Sequence, residues 1–264
     1  MKIVRFQDRS GYLRTGFWTD SGIEAAGQKY NPEKINILPP VQPTKIVCLG
    51  DNYIEHLKER GFKIPQDIPE RPQLFLKSPN TVIGHRDTIV LPEVGIDSRK
   101  AGDLGDIETG KRRIDYEAEL GVVMKRQAKK VSEKEAMEYI MGFTCVNDVS
   151  NRDDQSVERN WVRGKSFDNA APIGPVVAST ELVSEDPRVR LILNGETKQD
   201  SKNDEFIFSV PEVIAEITRF LTLEPGDIIA MGTPSGVGPL SHGDKVEVKI
   251  EGIGTLVNFV QKRE

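Results

Sequence analysis

The sequence predicts an α+β chain that is mainly β, with a few short helices set between many short strands. Three observations carry that expectation. Short apolar runs with period-2 alternation recur, as in Asp115–Met124 (DYEAELGVVM) and residues 246–250 (VEVKI), and successive strand side chains point to opposite faces. Turn signals punctuate the runs, among them Asn194-Gly195, His242-Gly243-Asp244 and Glu251-Gly252-Ile253-Gly254. Few segments carry a helix start, and alternation with one wetted face suits an antiparallel or mixed sheet system.

The totals bound the rest. A chain of 264 residues, 37% hydrophobic and 29% charged, suits one large domain, or a large one with a small companion. The net charge of -5 and the absence of a basic block argue against a nucleic-acid partner. No apolar run approaches the roughly 18 residues that span a bilayer. The start, MKIVRFQDRSG, breaks into charge too soon for a signal peptide. The expectation is a soluble, cytoplasmic protein. Cys48 and Cys145 each fall in an apolar, strand-like run. They read as two buried free thiols, with a disulfide between them as the alternative.

In order, residues 1–42 read as a small β-rich segment. It holds the runs IVRF and YLRTGFW, then a linker marked by Pro32, Pro39, Pro40 and Pro43. The main domain would occupy 43–264. Lys45–Leu49 reads as a buried strand. IEHLKERG follows as a short helix that Gly61 ends. His56 and Glu59 are three apart on that helix, hence neighbours. A carboxylate beside an imidazole fixes its tautomer and raises its basicity, as a general base needs; an ordinary exposed pair is the other reading. Leu74–Lys77 and DTIVLP (87–92) read as strands, and His85 between them as a solvated loop residue.

Glu93–Ile114 has four glycines, many charges and no periodicity. Structureless stretches beyond about 12–15 residues are uncommon in compact domains. Asp115–Met124 follows as one strand. Glu117 and Glu119 share a face, about 7 Å apart along the strand, and Asp115 shares it with them. Like charges so placed repel unless a cation lies between them. Alone, the ten residues leave open a wetted acidic edge or half of a metal site. Ser132–Met141 reads as a helix with a capping box, Ser132 with Glu135. Phe143–Val149 (FTCVNDV) reads as a strand with one acid, Asp148, in an apolar run. An acid there is costly unless paired or bound to a cation, which makes Asp148 a natural third ligand.

In WVRGKSFD, Lys165 is either a surface loop lysine or one aimed inward. Ala171–Ala178 reads as a strand and Val189–Leu193 with Asn194-Gly195 as a hairpin. Ser209–Leu223 reads as a helix with a second capping box, Ser209 with Glu212, and Pro211 in its first turn. Gly232-Thr233-Pro234-Ser235-Gly236-Val237-Gly238 lacks both the Gly-Lys-Ser/Thr ending of a phosphate loop and the dinucleotide pattern. It reads as a tight turn or as a close approach of backbone to a small ligand. A terminal hairpin over 246–260 closes the chain.

The ordered set GDNYIEHLKERG, LFLKSPNTVIG, DYEAELGVVM, GFTCVNDVSNRDDQ, WVRGKSFD and GTPSGVGP resembles the fumarylacetoacetate hydrolase superfamily, from about residue 45 to the end. The resemblance implies a mixed β-sandwich roll, a homodimer, and a divalent metal, Mg2+ first, with Mn2+ or Ca2+ as alternatives. It implies action on small 2-oxo acids. Glu117, Glu119 and Asp148 would be metal ligands. His56 and Glu59 would be the base dyad, on a helix that orders over substrate. Lys165 and Gln155 would contact the ligand, and Thr233 would hold a substrate oxygen or carboxylate. His85 and His242 match no motif position. Glu93–Ile114 departs from the family's shorter connection and reads as an added lid or a subunit contact. The implied reaction is hydrolysis of a C–C bond in a 2,4-dioxo acid such as an acylpyruvate. Decarboxylation of oxaloacetate, isomerisation of an unsaturated 2-oxo dioic acid, and a non-catalytic binding module are the alternatives.

Overall fold

The computed structural model describes residues 1–92, 113–202 and 205–263. Its centre is the strand Ala118–Met124, buried along its whole length. It lies antiparallel between Ile140–Asn147 and Ile228–Ala230, with Gly121 opposite Thr144 on one side and Ala230 on the other. Ile46–Gly50 runs parallel to Ile228–Ala230, and Gln73–Lys77 closes that edge. On the far side come Ala171–Ala178 and then Lys2–Gln7, which joins the N-terminal strands to the same sheet through Ile3 opposite Val177. Asn36–Leu38 pairs with Lys2–Gln7, so part of the proline-rich stretch is strand rather than free linker.

A second, five-stranded sheet runs in the order Glu196–Lys202, Arg188–Leu193, Lys245–Ile250, Gly254–Lys262 and Thr88–Leu91. It lies against Ala118–Met124, Ile140–Asn147 and Ala171–Ala178. Leu191, Val246, Val248 and Leu256 meet Leu120, Val122 and Cys145 between the sheets. Ile46, Cys48, Val123, Val146 and Ile228 form a separate cluster. Burial on both faces explains why the central strands are nearly all apolar rather than alternating. Each fully buried side chain of this size contributes about 1.5–3 kcal/mol of transfer free energy. The mainly β, α+β architecture with its stacked mixed sheets is the one expected.

Several local expectations change. Asp115–Met124 is not one strand. Ile114–Tyr116 belongs to a small three-stranded sheet with Ser150–Asn151 and Gly238–Pro239, and the chain breaks at Glu117 before Ala118–Met124 begins. The helix expected over 132–141 is one turn, Glu133–Ala136, and a 3-10 turn, Met137–Tyr139. Strand pairing claims Ile140 and the residues after it. The helix expected over 209–223 ends at Thr218, and Leu223 pairs with Ala128 instead. Both capping boxes are present. Two short helices, Arg152–Val157 and Val162–Lys165, form where the sequence pattern indicated neither helix nor strand. Asn194 and Gly195 both take positive φ, as a two-residue hairpin turn requires.

Cys48 and Cys145 are buried free thiols; burial pushes Cys145 up to about 12. His85 is not solvated. It is buried, and its Nδ1 accepts a hydrogen bond from the Val257 N–H at 3.2 Å. No helix among the described residues is long and apolar enough to cross a membrane. Residues 93–112 of the Glu93–Ile114 stretch lie outside the described residues.

Candidate metal centre and base dyad

The break at Glu117 creates the site. The Glu117 N–H donates to Asn147 Oδ1 at 3.0 Å, and the Asp148 N–H donates to the Glu117 carbonyl at 2.9 Å. These two bonds bring Asp148, one residue past the end of Ile140–Asn147, beside Glu117 and Glu119. Carboxylate oxygens of the three lie within 4.8 Å of one another, and all three residues are buried.

The charges around them are unequal. Lys165 Nζ donates to Asp148 Oδ2 at 2.6 Å, Ser150 Oγ at 2.6 Å and Glu117 Oε2 at 2.8 Å. Arg152 forks between Asp115, at 2.8 Å, and Glu117 Oε1. Burial works to raise the Glu117 carboxyl, but Arg152 and Lys165 hold it well below the usual carboxylate range. Among the described residues, Glu119 accepts one hydrogen bond, from the Gly232 N–H at 2.9 Å, and forms no ion pair. Burial first, then the charges of Asp148 and Glu117, push its carboxyl well above the usual range. Burial alone would lower the Lys165 ammonium; Asp148 and Glu117 raise it instead.

Beneath the cluster, Lys77 is fully buried. Its ammonium donates to the carbonyls of Lys165 (2.6 Å), Ala170 (2.9 Å) and Val149 (3.0 Å). It also lies 2.7 Å from Asp148 Oδ1. That contact is an ion pair between two fully buried groups, so each oxygen of Asp148 faces an ammonium, Oδ1 that of Lys77 and Oδ2 that of Lys165.

These features fit a hard divalent cation. Three carboxylates supply oxygen ligands and leave positions for water and substrate on an ion that prefers six or more. Of the three, Glu119 is short of partners, which such an ion would provide.

The second half of the site comes from Ile54–Glu59. His56 Nδ1 lies 3.1 Å from Glu59 Oε2, and Glu59 Oε1 accepts from the Gly236 N–H at 3.0 Å. His56, Glu59, Glu117, Glu119 and Lys165 line one cavity of about 570 Å³, with Gln155 and Thr233 also on its wall. All eight residues singled out in the sequence therefore gather here, Asp148 from behind the wall. Lys165 is buried, on the inward of its two readings. Gln155 Oε1 accepts from Arg152 Nη1 at 2.9 Å. The Thr233 hydroxyl donates to the Ala118 carbonyl at 3.0 Å, so its proton is committed to the chain.

The sequence reading overlooked Arg152, Lys77 and Gln199. Arg152 begins the helix that bears Gln155, three residues on. Lys77 ends an apolar run, and the cost of burying charge that picked out Asp148 applies to it equally. Gln199 gave no signal, since its strand is otherwise largely exposed.

A family model for the fumarylacetoacetate (FAA) hydrolase C-terminal region matches residues 45–261. The chain is 38% identical over 242 residues to oxaloacetate tautomerase YisK of Bacillus subtilis, across 88% of this chain and 75% of that one. The structure of 5-carboxymethyl-2-hydroxymuconate delta-isomerase from Mycobacterium smegmatis aligns over 100% of both chains, with a TM-score of 0.83 and 30% identity. That of fumarylpyruvate hydrolase from Pseudomonas aeruginosa, in complex with Mn2+ and pyruvate, gives a TM-score of 0.71 and 30% identity, over 85% of this chain and 91% of that one.

Proposed function

This chain belongs to the fumarylacetoacetate hydrolase family, and from that premise we propose that it hydrolyses a C–C bond in a small 2,4-dioxo acid of the acylpyruvate kind, using a divalent cation. The observation that carries the reading is the His56–Glu59 pair on the same cavity as the Glu117, Glu119 and Asp148 cluster. A structural metal has no use for a base beside it.

Held by those three carboxylates, Mg2+ (or Mn2+ or Ca2+) would supply Lewis-acid stabilisation of the negative charge that a 2-oxo acid develops. The chain's own groups do the rest. Glu59 accepts the Nδ1–H of His56, which fixes the tautomer and leaves Nε2 to take a proton. The proton comes from a water in the cavity, and that water attacks the distal carbonyl. The C–C electron pair passes to the carbon that becomes the methyl of pyruvate, which then takes up a proton. Lys165 offsets negative charge beside Glu117 and Asp148. Gln155, its oxygen engaged by Arg152, keeps its NH2 group for the ligand. We also propose that the chain works as a homodimer, which sedimentation equilibrium tests.

A second reading is keto–enol tautomerisation of oxaloacetate, favoured by the 38% identity to YisK. The same dyad would then carry a proton between carbon and oxygen, with no water consumed. Assays of acylpyruvates, oxaloacetate and unsaturated 2-oxo dioates with Mg2+ and Mn2+ separate these readings. The expected result is pyruvate release from an acylpyruvate. His56→Ala should lower that release by about 10²–10⁴-fold, spare Mn2+ binding, and harm oxaloacetate decarboxylation less. Equal loss of both activities with metal retained would sink the water-activating role. Metal binding without turnover of any substrate would favour a binding module on this scaffold.

A further inference from the structure

Ala118 lies between the two candidate ligands Glu117 and Glu119, and the main sheet does not hold it on one side. The pairing of Ala118–Met124 with Ile228–Ala230 runs from Val123 to Gly121, and a last bond, from the Met231 N–H to the Leu120 carbonyl at 3.0 Å, closes it. Beyond that point a side chain from the other sheet takes over. Gln199 is the one buried residue of the strand Glu196–Lys202. Its Oε1 accepts the Ala118 N–H at 2.9 Å. Its Nε2 donates to Thr233 Oγ1 at 2.8 Å and to the Pro234 carbonyl at 2.7 Å. Thr233 Oγ1 then donates to the Ala118 carbonyl at 3.0 Å. Three hydrogen bonds thus close a ring, Ala118 to Gln199 to Thr233 and back to Ala118.

The ring fixes a loop that touches both halves of the site. The Gly232 N–H donates to Glu119, and the Gly236 N–H to Glu59. Gly236 takes φ +93°, and a Cβ there would stand 2.2 Å from the Lys198 carbonyl, next to Gln199. The hairpin strand therefore sets the loop, and the loop reaches the acid cluster at one end and the dyad at the other.

We infer that Gln199 is a positioning residue, which holds the Glu117–Glu119 backbone and the 232–236 loop in register so that the carboxylates stand ready for the cation. The inference rests on the reading of Glu117, Glu119 and Asp148 as metal ligands. Buried amides satisfied at every proton are costly to disturb, and partners that orient ligands typically carry 10–100-fold in metal affinity.

The test is Mn2+ binding without substrate, followed by titration and by the electron paramagnetic resonance spectrum of the bound ion. Gln199→Met removes the ring and nearly keeps the volume. We expect a Mn2+ dissociation constant raised about 10–100-fold and an altered spectrum, with the cooperative unfolding transition kept. If Gln199→Met does not fold, Thr233→Val breaks two of the three bonds at equal shape. It should weaken Mn2+ binding likewise, and Thr233→Ser, which keeps the hydroxyl, should restore it. A folded Gln199→Met or Thr233→Val with unchanged affinity and spectrum overturns the inference. Failure of the wild-type chain to bind Mn2+ overturns the metal reading itself, a separate outcome.

Discussion

Glu117 and Glu119 are two residues apart, both buried, and on one cavity. Their surroundings are opposite. Glu117 is gripped by Lys165, Arg152 and Ser150. Glu119 has one backbone N–H. A buried carboxylate that is matched by fixed cations is part of the scaffold as much as part of the site. One that is not matched is where the chain's own charge falls short, and that is where an external cation adds most. The difference is set by position. Glu117 stands at the break between two sheets, where the helices Arg152–Val157 and Val162–Lys165 can reach it. Glu119 stands inside the large sheet, where its hydrogen-bond donor comes from the 232–238 loop.

Glutamine substitutions give the largest test of this contrast. As ligands, both Glu117→Gln and Glu119→Gln should lose Mn2+ binding and turnover by more than the roughly 100-fold that an outer partner costs. They should part in metal-free stability, read by urea unfolding with a chelator. Glu117→Gln strands part of the charge on Lys165 and Arg152, and removing one partner of a buried pair costs about 3–5 kcal/mol. Glu119→Gln removes an unmatched buried acid and should be neutral or stabilising. Equal loss of stability in the two variants would break the comparison.

A smaller and sharper effect is the pH dependence of metal-free stability. The folded chain keeps a proton on Glu119 above pH 4.5, where the unfolded chain has released it. The folded state then binds more protons, so this group's contribution falls as pH rises from about 4.5 through its raised pKa. The stability of Glu119→Gln relative to wild type should therefore climb over that interval. A difference that stays flat with pH would mean that Glu119 is ionised and already matched.

The same contrast explains what the sequence could reveal. The carboxylates were readable because each breaks a local rule: two like charges on one face, or an acid in an apolar run. His56 and Glu59 were readable because helical spacing makes them neighbours. Hairpins carried their own turn chemistry, and both helix starts their capping boxes. What local pattern could not show were partners supplied from afar. Lys77 meets Asp148 across 71 positions of chain, and Gln199 meets Ala118 across 81. The break at Glu117 was hidden because Asp115–Leu120 alternates straight across it; pairing with Ser150–Asn151 and Gly238–Pro239, not propensity, ends the first piece. Helix lengths were overestimated where a strand partner overrode a helical pattern, as at Ile140.

His85 carries the comparison outside the site, with the smallest expected effect. Like Glu119 it is a buried titratable group, and the hydrogen bond that its Nδ1 accepts from the Val257 N–H suits its neutral form. Burial first, with Arg86 beside it, lowers the ring from 6.5 to about 4, against a weaker pull from Glu33. Between those values the unfolded chain binds a proton that the folded chain refuses, so stability is lost as pH falls from about 6.5 towards 4. One pKa unit is worth about 1.4 kcal/mol, which caps the loss at about 3 kcal/mol. His85→Gln, which cannot titrate, should flatten that part of the urea-midpoint profile while leaving Mn2+ affinity alone. Parallel profiles for the two proteins between pH 4 and 6.5 would mean that His85 takes up its proton in the fold. Burial would then not suffice to keep a group neutral in this protein, and the account of Glu119 would lose its support from outside the site.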